Sequence, residues 1–299
     1  MKLLVTGGAG FIGSHLVDAL IERGFGVRVI DNLSGGKKER VNPMAEFVEG
    51  DIRDFEAVKK VMEGVNYVFH LAALPRVQVS IQNPKETNDV NVGGTLNLLV
   101  AAKDSGVKKF IYSASSSAYG DQDKMPLNEE MKANPISPYG LQKYVGELNC
   151  SIFSRIYGLK TASLRYFNVY GPRFDADSPY SLVIGRFLKQ RKEGKPMTIV
   201  PDGEQTRDFT HVKDVVMANI LAMESDKVGN GEVLNVGAGK NYSINRIADI
   251  IGGPKVYIEP RLEPRHTLAD NKKAGELLGW QPTVSLEEGI EELKKEWLS

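Results

Sequence analysis

A glycine-rich segment, VTGGAGFIG at residues 5–13, constrains the fold of this chain more than any other feature. Gly7, Gly10 and Gly13 recur at intervals of three, directly after a short apolar run and before an amphipathic stretch. Glycines so placed allow a tight strand-to-helix turn and let the backbone approach a pyrophosphate at the positive end of the helix. Asp31 ends the next apolar run, where a carboxylate accepts hydrogen bonds from a ribose diol. The segment therefore predicts dinucleotide binding, and a turn without a ligand is the alternative.

Short apolar runs rich in β-branched residues alternate with amphipathic stretches through the first half of the chain. Such runs predict strands, and the periodicity between them predicts helices. Strands that are apolar along almost their whole length and separated by helices are typical of a parallel sheet covered on both faces. We therefore predict a Rossmann-type, doubly wound α/β fold. The predicted strands are 3–6, 27–31, 46–49, 67–71, 110–113 and 161–166, and the predicted helices are 11–23, 55–61, 87–103 and 139–157.

The pattern becomes less regular after about residue 166, where prolines and glycines cluster. A helix at 212–223, a strand at 233–236 and two further helices are predicted there. The last helix begins with a capping box, in which Ser285 is the N-cap and Glu288 follows three residues later. We predict a dinucleotide-binding domain at residues 1–165 and a smaller domain at 166–299, some of whose strands or helices return to the first.

Charge and cysteine content argue against several classes of protein. Lys and Arg number 38, as do Asp and Glu, and a net charge of zero argues against a surface that coats nucleic acid. Cys150 is the only cysteine, so no intrachain disulfide is possible and a reducing compartment is favoured. The N-terminus does not resemble a signal peptide, and no stretch approaches the roughly 18–20 apolar residues that span a bilayer. A cytoplasmic protein with no membrane partner is predicted. His211 and His266 lack metal-ligating partners at a recognisable spacing, so no metal is predicted.

Tyr139 and Lys143 lie four residues apart on a predicted helix, within the segment SPYGLQKYVGE at residues 137–147. Four residues are about one turn, so the two side chains share a face. A tyrosine has a pKa of about 10, which must fall by about 3 units before the phenol acts as a base near neutral pH. A neighbouring ammonium and the positive nicotinamide of NAD⁺ both stabilise the phenolate. The spacing alone is common, but after a glycine-rich dinucleotide loop it predicts a proton-transferring pair.

The glycine loop, Asp31, Ser115 and the pair of Tyr139 and Lys143 together resemble the extended short-chain dehydrogenase/reductase family that acts on nucleotide sugars. The resemblance is closest to the 4-epimerases of UDP-glucose and UDP-galactose, including members that act on UDP-N-acetylglucosamine. It covers nearly the whole chain, through the segments HLAAL (70–74), RYFNVYGPR (165–173), DGEQTRDFTHVKDV (202–215) and LADNKKAGELLGW (268–280).

The resemblance implies a role for individual residues. Tyr139 is expected to be the catalytic base and acid, Lys143 to tune it and hold the nicotinamide ribose, and Ser115 to bind the sugar 4-hydroxyl. NAD is expected rather than NADP, because a carboxylate at Asp31 repels a 2′-phosphate. The expected NAD-binding residues are Gly7, Gly10, Phe11, Ile12, Gly13, Asp31, Asn32, Leu33, Ser34, Gly35, Asp51, Ile52, Leu71, Ala72, Ala73, Asn91, Ser113, Tyr139, Lys143 and Phe167. From spacing alone, a helix N-cap or turn is an equal alternative for Asp51.

The smaller domain is implied to bind the nucleotide sugar. Asn168 and Arg207 resemble the residues that hold the UDP diphosphate. Arg261 and Glu263 lie in EPRLEPRHTLAD (259–270), which is one residue shorter than the family pattern and lacks its glycine. The expected substrate-binding residues are Ser115, Ser117, Tyr139, Asn168, Arg207, Arg261, Glu263 and Thr267.

Three positions narrow the reaction and its substrate. Relatives that dehydrate the sugar carry an Asp-Glu pair, and relatives that decarboxylate a uronate keep a Glu, where this chain has Ser116 and Ser117. Without that acid, oxidation and re-reduction at C4 remain. Thr267 corresponds to a position where a large Tyr restricts some relatives to glucose and galactose. The smaller residue predicts that N-acetylated sugars are accepted as well.

Helices 87–103 and 139–157 correspond to the dimer interface of relatives, so a homodimer is expected, with plain core as the alternative for their apolar faces. The leading function is NAD-dependent 4-epimerisation of a UDP-hexose. The alternatives are another nucleotide-sugar enzyme, such as a UDP-glucuronate 4-epimerase or a reductase that uses external NAD(P)H, and a silent NAD-sensing Rossmann protein. The intact set of Ser115, Tyr139 and Lys143 argues against the silent protein, because a sensor needs none of them.

Overall fold

A parallel sheet at the centre of the molecule contains the strands of the first half of the chain. The structure is a computed structural model in which residues 1–75, 77–174, 183–259 and 265–298 are described. The strands, in chain order, are β1 (Lys2–Thr6), β2 (Gly26–Asp31), β3 (Glu46–Glu49), β4 (Tyr67–His70), β5 (Lys109–Ser115), β6 (Thr161–Tyr166), β7 (Val169–Tyr170), β8 (Met197–Ile199), β9 (Thr206–Asp208), β10 (Thr210–His211), β11 (Asn230–Val236), β12 (Asn241–Ser243) and β13 (Lys255–Tyr257).

Helices connect the strands of this sheet and form much of the C-terminal half. They are α1 (Phe11–Glu22), α2 (Phe55–Met62), α3 (Val77–Gln82), α4 (Pro84–Asn88), α5 (Thr95–Asp104), α6 (Pro138–Tyr157), α7 (Val183–Lys192), α8 (Val212–Glu224), α9 (Ile244–Ile251), α10 (Lys272–Leu278) and α11 (Leu286–Leu298). A π-helical segment, Asp89–Gly94, joins α4 to α5, and short 3₁₀ turns lie at Lys38–Arg40 and Ser116–Ala118.

The central sheet has seven strands in the order β11-β6-β5-β4-β1-β2-β3, and every adjacent pair is parallel. The order reverses beside β1, where Thr6 lies opposite Ile30 on one side and His70 on the other. In open α/β sheets the ligand crevice forms outside the carboxyl ends of the strands at such a reversal. The predicted Rossmann-type fold is confirmed.

Helices cover both faces of the sheet, which is why its strands are apolar on both sides. One apolar cluster joins the sheet to α1 and α8 and includes Leu16 and Val215. A second joins the opposite face to α2, α5 and α6 and includes Val58 and Leu99. A third lies among α7, α9 and α11 in the C-terminal half. Helix α8 and strand β11 come from that half of the chain, and they pack on or in the central sheet.

Some predicted elements differ from the observed ones. In place of the predicted helix 87–103, the structure has a longer helical run that begins at Pro84 and contains the π-helical segment. In that segment the Asn91 side chain is hydrogen-bonded to the backbone of Leu74. An apolar face continues through a π turn, so helical periodicity does not reveal one. Strand β5 continues to Ser115, two residues beyond its predicted end, because Ser115 pairs with Tyr166 of β6. In the described ranges after β11 there are three helices where two were predicted, since α10 has only seven residues, too few to show a period.

The capping box at the start of α11 is confirmed. The Ser285 N–H donates to Glu288 Oε2 at 3.0 Å, and the Glu288 N–H donates to Ser285 Oγ at 3.3 Å. Among the helices of the described residues, none has the length and apolar character needed to cross a membrane.

Candidate active site

The glycine-rich turn lies at the carboxyl end of β1 and leads into α1. Gly7 has a φ of +72°, and a Cβ there would lie 2.7 Å from the Ala72 nitrogen. A Cβ on Gly13 would lie 2.1 Å from the Gly7 carbonyl oxygen. Only glycine therefore allows the turn to pack this closely on β4 and on its own helix. Gly10 is the N-cap of α1 and has no side chain, so the helix start is open to a phosphate.

Asp31 ends β2 next to this turn, and its side chain is buried. One carboxylate oxygen accepts the Ala9 N–H at 3.0 Å, and the other accepts the Leu33 N–H at 2.8 Å. Burial raises the pKa of Asp31 above its ordinary value, and these two N–H groups oppose that rise. A glycine cradle with a rigidly held carboxylate at the end of the next strand fits a dinucleotide.

Asn32 and Asp51 lie side by side at the ends of β2 and β3, joined by a hydrogen bond of 2.9 Å from Asn32 Nδ2. Hydrogen bonding to the Arg53 guanidinium holds the pKa of Asp51 down to about 2. Asp51 Oδ1 also accepts the Arg53 N–H, whereas Asp54 caps α2. Asp51 is therefore a turn residue, and the helix N-cap alternative is wrong.

The other residues predicted to bind NAD lie along the same carboxyl edge of the sheet. Leu71, Ala72 and Ala73 follow β4, and the Ala72 N–H donates to Thr6 Oγ1 at 3.1 Å. Asn91 stands on the π-helical segment. The remaining members are Phe11 and Ile12 in the first turn of α1, Ser34 and Gly35 after β2, Ile52 after β3, Ser113 on β5 and Phe167 after β6.

Lys143 lies under the end of β5, one turn along α6 from Tyr139. Its Nζ donates to the Ser113 carbonyl at 2.8 Å and lies 5.0 Å from the centre of the Tyr112 ring. Burial lowers the pKa of Lys143 to about 8. The N-terminus of α6 is fixed beside them, because Ser137 Oγ accepts the Gly140 N–H and Ser80 Oγ accepts the Tyr139 N–H. The structure thus brings Tyr139, Lys143 and the end of β5 together.

Ser115 is the last residue of β5, and Ser117 lies in the 3₁₀ turn that follows. Ser115 Oγ accepts the Ser117 N–H at 3.1 Å, which leaves its own proton available for a ligand. The two predicted serines therefore stand together at the sheet edge.

Supporting residues that the sequence did not predict hold α6 in place. Gln142 donates to Thr87 Oγ1 at 3.0 Å and accepts a hydrogen bond of 2.8 Å from Asn91 Nδ2. Below β5, the Tyr166 hydroxyl bonds Ser113 Oγ and Asn219, each at 2.9 Å. These partners come from segments more than fifty residues apart, and no local pattern indicates such contacts.

The predicted substrate residues of the C-terminal half form a second group. Asn168 has a φ of +30°, and its Nδ2 donates to the Asp208 carbonyl at 2.8 Å and to Thr267 Oγ1 at 3.4 Å. Arg207 precedes Asp208 in β9, and its Nη1 donates to the carbonyl oxygens of Thr206 and Arg265. The structure brings Asn168, Arg207 and Thr267 around one strand. Arg261 and Glu263 lie outside the described residues.

The sequence did not predict Asp208 as a site residue, although its side chain is fully buried at the centre of this group. Burial raises the pKa of Asp208 to about 6, against the effect of three backbone N–H groups that donate to it. Nothing in the spacing of DGEQTRD (202–208) separates this residue from Asp202, whose backbone and side chain are exposed.

Residues 3–237 match the model of the NAD dependent epimerase/dehydratase family. This stretch contains the glycine turn, Asp31, Ser115, Tyr139 and Lys143. The match covers well over half of the chain and ends just after β11, so it includes Asn168 and Arg207 but not Thr267.

Three solved structures with different sugars resemble the whole chain. The UDP-glucose 4-epimerase of Thermotoga maritima with UDP-glucose is 44% identical, with a TM-score of 0.94 and 99% of each chain covered. The UDP-N-acetylglucosamine 4-epimerase of Methanobrevibacter ruminantium, in complex with UDP-N-acetylmuramic acid, is 41% identical, with a TM-score of 0.94 and coverage of 99% of this chain and 97% of that one. The UDP-glucuronic acid 4-epimerase of Bacillus cereus, in complex with UDP-glucuronic acid and NAD, is 35% identical, with a TM-score of 0.90 and coverage of 99% and 100%.

Proposed function

Because this chain belongs to the NAD dependent epimerase/dehydratase family, we propose that it interconverts UDP-glucose and UDP-galactose at C4 and also accepts their N-acetylated counterparts. The chain is an NAD-dependent enzyme of the UDP-sugar 4-epimerase group.

The observation that carries the proposal is the arrangement of Tyr139, Lys143 and β5. Tyr139 and Lys143 occupy one face of α6, and Lys143 bonds the Ser113 carbonyl two residues before Ser115. This arrangement places a phenol, an ammonium and a hydroxyl at one strand end. Alcohol oxidation needs a base and a hydrogen-bonding group at the same oxygen, and this combination supplies both.

The glycine turn and Asp31 would hold NAD, with the pyrophosphate at the start of α1 and the adenosine ribose on the carboxylate. When bound, NAD supplies a reversible acceptor for the C4 hydride. Lys143 would contact the nicotinamide ribose.

Tyr139 would remove the O4 proton and later return it, while Ser115 orients the 4-hydroxyl. The ammonium of Lys143 favours the phenolate form of Tyr139, because opposite charges stabilise the ionised acid. With the pKa of Lys143 at about 8, the lysine stays mainly protonated at neutral pH and supplies this charge where it is needed. No acid stands at positions 116 and 117, so the 4-keto sugar would keep its C6 hydroxyl and be reduced again.

Asn168 and Arg207 would hold the diphosphate while the 4-keto sugar turns over to present its other face. Arginine and amide groups suit this role, since they donate several hydrogen bonds to phosphate oxygens. Thr267 lies beside them, and its small side chain leaves room for a C2 N-acetyl group. The small side chain of Thr267 therefore supports the wider substrate range.

We also propose that the enzyme is a homodimer. Leu141, Leu148, Ile152 and Ile156 are exposed along α6, with relative exposures of 51%, 45%, 40% and 68%. Their spacing of seven and four residues places them in one stripe. A second copy would cover this stripe, and light scattering on Leu148→Lys should give a monomer where the unaltered protein gives a dimer.

One experiment tests the proposed substrates. The purified protein is incubated without added cofactor with UDP-glucose, UDP-N-acetylglucosamine or UDP-glucuronate, and the anomeric protons are followed by NMR. Interconversion of the first two is expected. Turnover of UDP-glucuronate alone would favour the uronate epimerase, and a requirement for stoichiometric NADPH would favour a reductase.

A further inference from the structure

We infer that Asp208 is the positioning residue of the nucleotide-sugar half of the cleft, because it joins the segments that carry Asn168, Arg207 and Thr267. This inference rests on the proposed function, which assigns those three residues to the UDP-sugar. Asp208 itself is buried and does not reach the ligand.

The carboxylate of Asp208 holds two segments that are distant in sequence. Oδ1 accepts the Ala238 N–H at 2.8 Å, and Oδ2 accepts the N–H groups of Gly239 and Ala269, each at 3.0 Å. Ala238 and Gly239 follow β11, whereas Ala269 belongs to the segment that carries Thr267. The Asp208 side chain thus bonds both the end of the central sheet and the Thr267 segment. Asn235 and Asn271 also connect these two segments, through hydrogen bonds to the Asp270 and Gly237 carbonyls.

The backbone of Asp208 contacts the proposed substrate residues themselves. Its N–H donates to Thr267 Oγ1 at 3.3 Å, and its carbonyl accepts from Asn168 Nδ2 at 2.8 Å. Arg207 is its neighbour in β9. A displacement of Asp208 would therefore move all three residues at once.

A second buried carboxylate in the same fold is held differently. Glu147 pairs with the Arg165 guanidinium at 2.7 Å, so charge neutralisation accounts for its burial. In the described part of the chain, the donors to the Asp208 carboxylate are backbone N–H groups. Backbone donors have fixed directions, so the Asp208 carboxylate fixes the positions of the segments that carry them. Glu147, by contrast, neutralises the charge of Arg165.

Asp214 provides a matched control. It is also buried, and its carboxylate accepts the N–H groups of Thr283 and Val284 and the Thr283 hydroxyl, at 2.9, 3.2 and 2.6 Å. These bonds tie α8 to the segment before α11, and neither of these two segments carries Asn168, Arg207 or Thr267. The chemistry of the two sites is alike, and their positions differ.

The test compares Asp208→Asn with Asp214→Asn in the NAD-loaded enzyme. An asparagine side chain has only one acceptor oxygen. Its NH₂ group would therefore face a backbone N–H that the second carboxylate oxygen accepts, and the two donors would repel. Both variants should melt at lower temperature. Only Asp208→Asn should weaken UDP binding, measured by calorimetry, and raise KM for UDP-glucose, both by about ten- to a hundredfold. Its kcat should change by less than about threefold, because Tyr139 and Lys143 stand on α6.

A folded Asp208→Asn variant with unaltered UDP affinity would overturn the inference, as would equal losses of UDP affinity in both variants. If Asp208→Asn does not fold, amide hydrogen exchange on the unaltered holoenzyme decides. Gly239 is exposed, so its amide hydrogen exchanges slowly only if it is bonded to the Asp208 carboxylate. Slow exchange of the Ala238, Gly239 and Ala269 amides is expected before UDP is added. Rapid exchange at Gly239 contradicts the inference. Failure of the unaltered enzyme to bind UDP would instead overturn the proposed function.

Discussion

The two halves of the cleft are built in different ways. In the cofactor half, Gly7, Asp31 and Ser115 stand at or directly after the carboxyl ends of strands of one parallel sheet. In the sugar half, Arg207 lies in a strand of three residues, Val169 directly after Asn168 lies in a strand of two, and Thr267 lies in a connecting segment. Regular backbone holds the reacting groups rigidly, whereas connecting segments change substrate with little effect on the fold. Relatives with the same fold are named as 4-epimerases of different UDP-sugars.

Each half also contains an ionisable side chain that is buried, and burial shifts its pKa. The pKa of Lys143 falls to about 8 and that of Asp208 rises to about 6. Both shifts mean that burial disfavours the charged form. Keeping each of these charges in place therefore costs some stability, and Lys143→Met below tests this for the lysine.

The largest effect is expected from Tyr139→Phe, which removes the proposed base from the cofactor half. We expect kcat to fall by about a thousandfold or more, with NAD content and UDP affinity unchanged. Tyr144→Phe on the same helix is the control and should retain activity. An active Tyr139→Phe enzyme would show that the proton is transferred by another group.

Lys143→Met should lower kcat by about a hundredfold, because the phenolate loses its neighbouring charge.

The same Lys143→Met change should stabilise the apo protein at neutral pH. The shift from 10.5 to about 8 corresponds to at most roughly 3 kcal/mol. Because the unfolded chain holds the lysine proton more tightly, this gain is full below pH 8 and shrinks as the pH rises towards 10.5. Urea unfolding at about pH 7 and about pH 9.5 measures it, and a gain that grows with pH would contradict the assignment.

In the sugar half, Thr267→Tyr should reduce kcat/KM for UDP-N-acetylglucosamine by about tenfold or more and leave UDP-glucose within about threefold. The larger ring would occupy the space of the N-acetyl group. Competition between the two substrates in one reaction measures the ratio directly. An equal loss for both sugars would mean that Thr267 does not discriminate at C2.

Asp31→Asn should weaken NAD binding by about tenfold, because an amide offers one acceptor oxygen where the carboxylate offers two. It should also narrow the preference for NAD over NADP, since repulsion of the 2′-phosphate is lost. Asp54→Asn is the control, because asparagine caps helices about as well as aspartate. Fluorescence titration of the apo proteins measures both effects, and unchanged NADP binding would contradict the role of the charge.

In the cofactor half, the glycine turn and the shared face of Tyr139 and Lys143 could be predicted because their signals are local. Gly7, Gly10 and Gly13 follow one strand and start one helix, and Tyr139 and Lys143 share a face through their spacing alone. The supports of this half were not predictable. Ser80 and Gln142 act through contacts with residues about fifty or more positions away, and their own segments show no sign of it. The predicted extent of β5 was short for the same reason, since Ser115 joins the strand through its pairing with Tyr166.

From the sequence alone we could predict the alternation of strands and helices in the first half of the chain, the glycine turn, the acid at the end of β2 and the spacing of the proposed base and lysine. These features depend on periods of two and 3.6 residues and on turn chemistry, which act over a few neighbouring residues. Three features could be seen only in the folded protein: the return of β11 to the central sheet, the π turn in the run after Pro84, and the burial of Asp208 rather than Asp202. Burial of a charge depends on donors from segments tens of residues apart, and that arrangement exists only once the chain has folded.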